Sequence, residues 1–256
     1  MDLTSQNTVK DKKNSLQFDR LLPAILHPKR TFTQIIEDDK PVWLTPLLVV
    51  SVLILIAGLI AGPIRRDAIV NGTSLGSDFQ YYSTDQQQQI LAAQATRSSA
   101  LFTFVFPIVG SLLGLWVTWF LLSSILHLGL TLAGSRTRNL HSYNLVAWST
   151  LPLAFRQIIQ IFAMIFTHSI ISSPGLSGFV TGTGGAAFIA GLLGQLDIFF
   201  IWQICLLMIG VLPLSKLSRG KAWMVTGISV LLLMLLTAFP RLISSMLSNV
   251  SLGGFF

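Results

Sequence analysis

Charged side chains are scarce in this 256-residue sequence. They make up 11% of all residues, whereas hydrophobic residues make up 52%. An ordinary soluble domain carries about a quarter charged residues. A chain of this length with so little charge cannot cover a water-exposed surface, so the composition excludes one or two soluble domains. Lipid must replace water over most of the surface, and the sequence predicts a membrane protein.

Cysteine pairs and the common catalytic signatures are also lacking. The single cysteine, Cys205, lies inside an apolar run, which excludes a disulfide framework, a cysteine zinc site and a redox pair. The histidines have no metal-ligand spacing. Neither a Gly-x-Ser-x-Gly elbow nor a His-Glu-x-x-His helix is present. We therefore expect no enzyme, no catalytic residue, no metal and no cofactor.

Long apolar runs are what the sequence does contain. A bilayer core requires about 20 consecutive, mostly apolar helical residues. A helix also satisfies its own backbone hydrogen bonds, as the hydrocarbon region requires. The segments that meet this requirement are Val42–Ile64, Ala100–Leu130, Leu145–Phe166, Ile189–Leu214 and Met224–Ser245. The predicted fold class is therefore all-α, a polytopic transmembrane helical bundle of five spans.

The segment before the first span divides into a tail and a pair of helices. Residues 1–14 are polar and charged, which predicts a disordered cytoplasmic tail. Within residues 15–40, an apolar stripe with helical spacing is interrupted by Pro28 and then resumes. The basic residues near this stripe are Arg20, Lys29 and Arg30. The pattern predicts interfacial amphipathic helices on the inner leaflet, and a cap packed under the bundle fits it equally well. Residues 41–250 form the five-span membrane domain.

The excess of Lys and Arg, which gives a net charge of +7, orients the bundle. Basic residues precede the first span and occupy the second and fourth loops, whereas the third loop, residues 167–188, has no charged residue. The positive-inside rule then predicts a cytoplasmic N-terminus and an external C-terminus in the cytoplasmic (inner) membrane. The exceptions at the outer ends can snorkel; they are Arg65, Arg66 and Arg241. Because no segment is long enough to present these charges on a soluble domain, no nucleic-acid partner is expected.

Two ionisable residues lie deep in predicted spans, Arg156 in the third and Asp197 in the fourth. Each costs about 2.5–3.5 kcal/mol at the centre of a membrane helix, so both should face the bundle interior. They lie about 10 and about 8 residues from the outer edge, and at about 1.5 Å per residue these depths differ by roughly 3 Å. The sequence therefore predicts a salt bridge between the two spans.

Glutamines on the same two spans extend this polar set; they are Gln157, Gln160, Gln195 and Gln203. Such a network is typical either of structural contacts between helices or of an ion or substrate pathway. A transport site usually has helices interrupted in paired halves. Pro152 predicts one interruption in the third span, and the sequence shows no matching one. The pattern therefore favours a structural role.

Three stretches of sequence carry a family resemblance. They are Leu22–Leu47, Tyr143–Pro152, and Leu196–Trp202 followed by Gly210 and Arg219–Ala222. Taken together they resemble the prokaryotic branch of the Yip domain family, five-span membrane proteins named for interaction with Ypt/Rab GTPases. The resemblance covers Phe18–Leu242. It implies a cytoplasmic N-terminus and brings no established catalytic residue.

The resemblance also implies a function. Asp197 and Trp202 match the family's fourth-span pattern, and Pro152 matches its third. Eukaryotic members act in vesicle trafficking through a long cytosolic N-terminal region, which is short here. Some prokaryotic relatives look like accessory subunits beside ABC-type exporters in envelope defence.

We therefore expect a non-enzymatic membrane scaffold or accessory subunit. Its expected partners are the lipid bilayer and other membrane proteins, an ABC-type exporter or further copies of itself. One alternative is a small transporter or channel whose path runs past Arg156 and Asp197. Another is a lipid-organising or membrane-trafficking protein that acts through its basic interfacial helices.

Overall fold

The computed structural model of the protein describes residues 16–38, 40–72, 79, 81–171 and 174–253. The predicted disordered tail, residues 1–14, lies outside these residues. Within the described part the chain is helical and has no strand. The α-helices are α1 (Leu21–Leu26), α2 (Pro28–Glu37), α3 (Leu44–Gly72), α4 (Thr84–Arg97), α5 (Phe106–Leu132), α6 (Asn139–Ser149), α7 (Leu151–Thr167), α8 (Gly185–Leu193), α9 (Ile198–Ser215) and α10 (Arg219–Gly253).

Five segments of the described chain are long and apolar enough to cross a membrane. They are Leu44–Asn71, Leu101–Leu132, Asn139–Thr167, Ile198–Ser215 and Arg219–Pro240. The predicted all-α fold and the predicted number of spans are therefore confirmed. The third span begins earlier than predicted and the fourth begins later. One helix interruption lies within the third span, and another lies directly before the fourth.

The third span consists of α6 and α7, which meet at Thr150. Pro152 follows, and it has no N–H to continue the hydrogen-bond ladder of α6. The hydroxyl of Ser149 donates to the Val146 carbonyl, and that of Thr150 donates to the Ala147 carbonyl, each at 2.7 Å. These side chains satisfy the carbonyls of Val146 and Ala147 in the last turn of α6.

The prediction of a continuous fourth span over Ile189–Leu214 is wrong. The structure breaks the helix at residues 194–197, between α8 and α9. Asp197 is the N-cap of α9, and its Oδ1 accepts from the Phe200 N–H at 2.8 Å. A carboxylate at this position satisfies one of the free N–H groups of the first helical turn. Asp197 therefore lies at the start of a helix rather than in the middle of one.

The loop between α7 and α8 closes against this break. The Leu176 N–H donates to the Leu193 carbonyl at 3.0 Å. Gly175 has a φ of 58°, and a Cβ there would lie within 2.9 Å of the carbonyl oxygens of Leu193, Gly194 and Leu196. Only glycine adopts this conformation without strain and without a clash. The loop and the break therefore hold each other in place.

One end of the bundle gathers the basic segments, and we call it the basic end; it comprises residues 16–38, 40–43, 133–141 and 214–222. The second and fourth loops are joined there, because the Ser135 hydroxyl donates to the Ser215 carbonyl at 2.9 Å. A second bond runs from the Thr137 hydroxyl to the Leu214 carbonyl at 3.0 Å. The basic residues at this end are Arg20, Lys29, Arg30, Lys40, Arg136, Arg138, Lys216, Arg219 and Lys221.

The N-terminal helices form a cap on the basic end. Phe32 and Ile35 of α2 are each 1% exposed, and α2 packs against α6 and α9. Of the two arrangements that the sequence allowed, α2 thus adopts the packed one. The segment before it is only partly packed: Ala24 is buried, whereas Phe18, Leu22 and Leu26 remain exposed.

Asn144 joins the first span to the third. Its side chain is fully buried, and its Nδ2 donates to the Lys40 carbonyl at 2.7 Å. Its Oδ1 accepts from the Val42 N–H at 3.0 Å, and the Trp148 Nε1 donates to the Val42 carbonyl at 3.1 Å. Three hydrogen bonds therefore join the backbone just before α3 to side chains of α6.

Gly210 gives the first stability prediction. A Cβ on Gly210 would overlap the Leu145 side chain and lie 3.0 Å from the Phe32 ring. Gly210→Ala should therefore push α9 away from both α6 and α2. We expect a cost of about 1–3 kcal/mol, as for overpacking of a core. Thermal unfolding of the purified protein in detergent measures it.

Gly110→Ala is the matched control. A Cβ on Gly110 would meet nothing within 4 Å, and the residue also lies inside a membrane-spanning helix. This change should be neutral or slightly stabilising, because alanine restricts the unfolded chain more than glycine does. Equal losses in the two variants would show that close packing at Gly210 is not the cause.

Candidate polar site inside the bundle

Arg156 and Asp197 form an ion pair between α7 and α9. The Arg156 Nε lies 3.1 Å from the Asp197 Oδ2, and the two side chains are 25% and 18% exposed. Since the other carboxylate oxygen caps α9, Asp197 uses both oxygens at once. The two charges thereby neutralise each other, which lowers the free-energy cost of placing either charge in the bilayer.

Two cavities meet at Arg156. The larger has a volume of about 670 Å³ and lies between α3, α5 and α7. The smaller has a volume of about 330 Å³ and is lined from α5, α6, α7, α8, α9 and α10. Arg156, Thr118 and Leu153 line both of them. The ion pair therefore stands at the junction of two spaces inside the membrane-spanning part of the chain.

The structure gives the predicted glutamines different surroundings. Gln157 and Gln160 line the larger cavity, and Gln195 and Gln203 line the smaller. Gln203 is only 7% exposed, yet its side chain makes no hydrogen bond within the described part of the chain. A polar group in this state is costly unless water or a ligand reaches it.

Gln195, in contrast, is fully bonded. Its Nε2 donates to the Met234 carbonyl at 3.2 Å and to the Gly191 carbonyl at 3.3 Å. Its Oε1 accepts from the Thr237 hydroxyl at 2.8 Å. Gln195 thus connects the break of the fourth span to α10, and it acts as a structural contact.

The three basic residues of the cap do not belong to this site. Arg20 forms an ion pair with Asp38, which joins the turn before α1 to the end of α2. Lys29 and Arg30 are exposed on α2 at the basic end. These residues therefore divide into one structural cation and two cations available to a partner or a membrane surface.

Arg65 is a site residue that sequence reasoning missed. It lines the larger cavity, and its Nη1 donates to the Thr103 carbonyl at 3.3 Å. Thr103 lies in a π-helical turn, Leu101–Val105, just before α5. Such turns occur frequently at functional sites. No pattern in the sequence marks this turn. From the sequence, Arg65 was therefore interpreted only as a snorkelling residue at the end of a helix.

The family stretches meet in space. Phe32 of the first packs on Gly210 of the third, and Asn144 of the second bonds to Val42 of the first. Trp202 stacks on Phe155, with ring centroids 5.6 Å apart, beside the ion pair. Among the residues that the structure describes, no three of His, Cys, Asp and Glu are placed to hold a metal ion.

Comparison with known families decides the relationship: the Yip1 domain matches residues 24–239, which include the first four spans and all but the last residue of the fifth. The chain belongs to the Yip1 domain family. The resemblance drawn from the three stretches is thereby confirmed. This Yip1-domain chain is also similar to "Membrane protein YknW" of Bacillus subtilis (strain 168), with 23% identity over 241 residues. That alignment covers 93% of this chain and 97% of the relative. No solved structure matches the chain.

The ion pair predicts non-additive substitutions. Asp197→Asn removes the charge and keeps a good N-cap, whereas Arg156→Gln removes the other charge. Each single change leaves an unpaired charge in the bundle. Each change should therefore destabilise the wild-type protein more than it destabilises the variant that already carries the other change. We expect a coupling energy above about 0.5 kcal/mol in a double-mutant cycle of thermal unfolding. Independent, additive effects would disprove the pairing.

The two glutamines of the smaller cavity predict opposite outcomes. Gln195→Leu should cost about 1–3 kcal/mol, because it removes the hydrogen bonds of Gln195 to Gly191, Met234 and Thr237. Gln203→Leu removes a polar group that has no partner, so the free energy of unfolding should stay equal or rise. Both variants are measured by the same detergent unfolding assay. A loss at Gln203 as large as that at Gln195 would contradict the assignment.

Proposed function

We propose that this Yip1-domain membrane protein is a non-enzymatic scaffold or accessory subunit that holds another membrane protein. The proposal places its N-terminus in the cytoplasm and its C-terminus outside, in the cytoplasmic membrane. The gathering of basic residues at one end of the bundle supports this orientation. An ABC-type exporter is the partner that the family resemblance favours.

The observation that carries the proposal is the cap on the basic end. The apolar face of α2 is buried on α9, which fixes the helix, and its polar face is left exposed. A cleft of about 750 Å³ runs along this face, from His27 to Glu37 and against Ile209 of α9. A helix held rigidly in this way loses little freedom on binding, which favours association with a partner.

The cap predicts which residues the partner needs. We expect affinity purification from native membranes, in mild detergent, to recover one membrane complex in stoichiometric amounts. Lys29→Glu with Arg30→Glu should abolish this recovery, because both cations lie exposed on the polar face of α2. The matched control is Arg136→Glu with Lys216→Glu, which reverses two exposed charges at the same end but away from the cap. Recovery of the protein alone, or equal loss in the control, would contradict the proposal.

A second candidate function, a small transporter or channel, is favoured by a specific observation. The third span is interrupted at Thr150, a second break at residues 194–197 directly precedes the fourth span, and the smaller cavity lies beside both. Paired broken helices around a polar site are typical of transporters. Ion flux into proteoliposomes tests it: wild-type flux that Asp197→Asn abolishes, with Gly110→Ala unchanged, would support transport.

A further inference from the structure

We infer that the two cavities at Arg156 bind a single-chain anionic amphiphile, a molecule with one oxyanion head and an apolar body. The head lies against Arg156 and Gln203, and the body occupies the larger cavity. Carboxylate and phosphate heads share the required chemistry. This site is independent of the docking cap and does not rest on either function proposed above.

The charge around the cavities is unbalanced. Arg65 and Arg156 line the larger cavity, and no carboxylate lines either cavity within the described residues. Asp197 balances Arg156 from the side of α9. Among the residues that line the two cavities, the positive charge of Arg65 therefore remains unbalanced. An anionic ligand would neutralise it, which is favourable where water is scarce.

The donors needed to hold an oxyanion are already in place. Asp197 accepts at one edge of the Arg156 guanidinium, and no other described residue accepts from it. A guanidinium has five N–H donors in a fixed plane, so its opposite edge stays available. Gln203, more than nine-tenths buried and without a partner, adds an amide donor in the smaller cavity. A ligand oxygen between the two would satisfy both groups.

The larger cavity suits the apolar body. Apart from its polar residues, its walls include the aliphatic side chains of Val50, Ile54, Leu115, Leu153 and Met164. Its volume of about 670 Å³ falls within the usual range for small-molecule sites, about 300–1,000 Å³. The mixture of aliphatic walls and a few convergent polar groups excludes a bare inorganic anion as the best occupant.

The depths of the two arginines indicate how the ligand enters. Arg65 lies seven residues before the end of α3 and Arg156 lies eleven residues before the end of α7. At about 1.5 Å per residue these positions are roughly 10 and 16 Å below the end of the bundle opposite the basic end. Arg65 is thus nearer the mouth and attracts the anion, whereas Arg156 and Gln203 bind it.

Binding of tritiated palmitate to the purified full-length protein in a neutral maltoside detergent tests the site. We expect saturable binding of about one palmitate per chain, with competition by a single-chain lysophosphatidate and none by palmitamide, which lacks the charge. Gln203→Leu should weaken binding about tenfold, the effect of losing roughly 1.4 kcal/mol. Arg65→Gln should weaken it and reduce its dependence on salt.

The control is Arg66→Gln, since Arg66 is adjacent to Arg65, exposed, and outside both cavity linings. It should bind palmitate as the wild type does. Competition by palmitamide, or unchanged binding in both cavity variants, would show hydrophobic adsorption and overturn the proposal. Equal competition by acetate or inorganic phosphate would show a small-anion site and reject the amphiphile. Absence of saturable binding would mean that water alone fills the cavities.

Discussion

The requirement that a membrane-spanning chain satisfy its own polar groups governs this structure. At the interruptions at Thr150 and at residues 194–197, side chains of the same chain bond to backbone groups at the helix ends. The hydroxyls of Ser149 and Thr150 do so before Pro152, and the carboxylate of Asp197 does so at the start of α9. The interruptions are thus compatible with the bilayer, and they create the polar space in which Arg156 lies.

The apolar runs were sufficient to predict the fold class and the number of spans, because hydrocarbon thickness leaves few alternatives for segments of that length. Depth along the helices was sufficient to suggest that Arg156 and Asp197 could meet. The break at residues 194–197 was missed, because Asp197 was interpreted as a charge in the middle of a span and not as the N-cap of a helix that starts at Ile198. Its position depends on Gly175, nearly 20 residues earlier, whose closeness to the break is a tertiary fact. Likewise, the sequence does not show that α10 lies beside Gln195 and bonds to it, whereas Gln203 has no hydrogen-bond partner among the described residues.

The stretches that identify the Yip1 domain have a common physical purpose at the basic end. The Asn144 side chain forms hydrogen bonds with the backbone before α3, which belongs to no helix, and Gly210 allows α9 to approach α6 and α2 at the same time. The family signature therefore marks how five spans are held at one end. The third stretch also contributes to the polar site near mid-membrane, because Asp197 pairs there with Arg156, which lies outside the three stretches.

The ion pair also has a consequence for how the protein is made. Arg156 is synthesised before Asp197, and the span that carries it has the lowest mean hydropathy of the five. When this span reaches the translocation machinery alone, its arginine has no counter-charge, and its transfer into lipid is correspondingly unfavourable. We therefore expect stable insertion of the third span to depend on the fourth, so that the two enter the bilayer as a helical pair. The other spans have a higher mean hydropathy, and we expect their insertion to depend less on a neighbour.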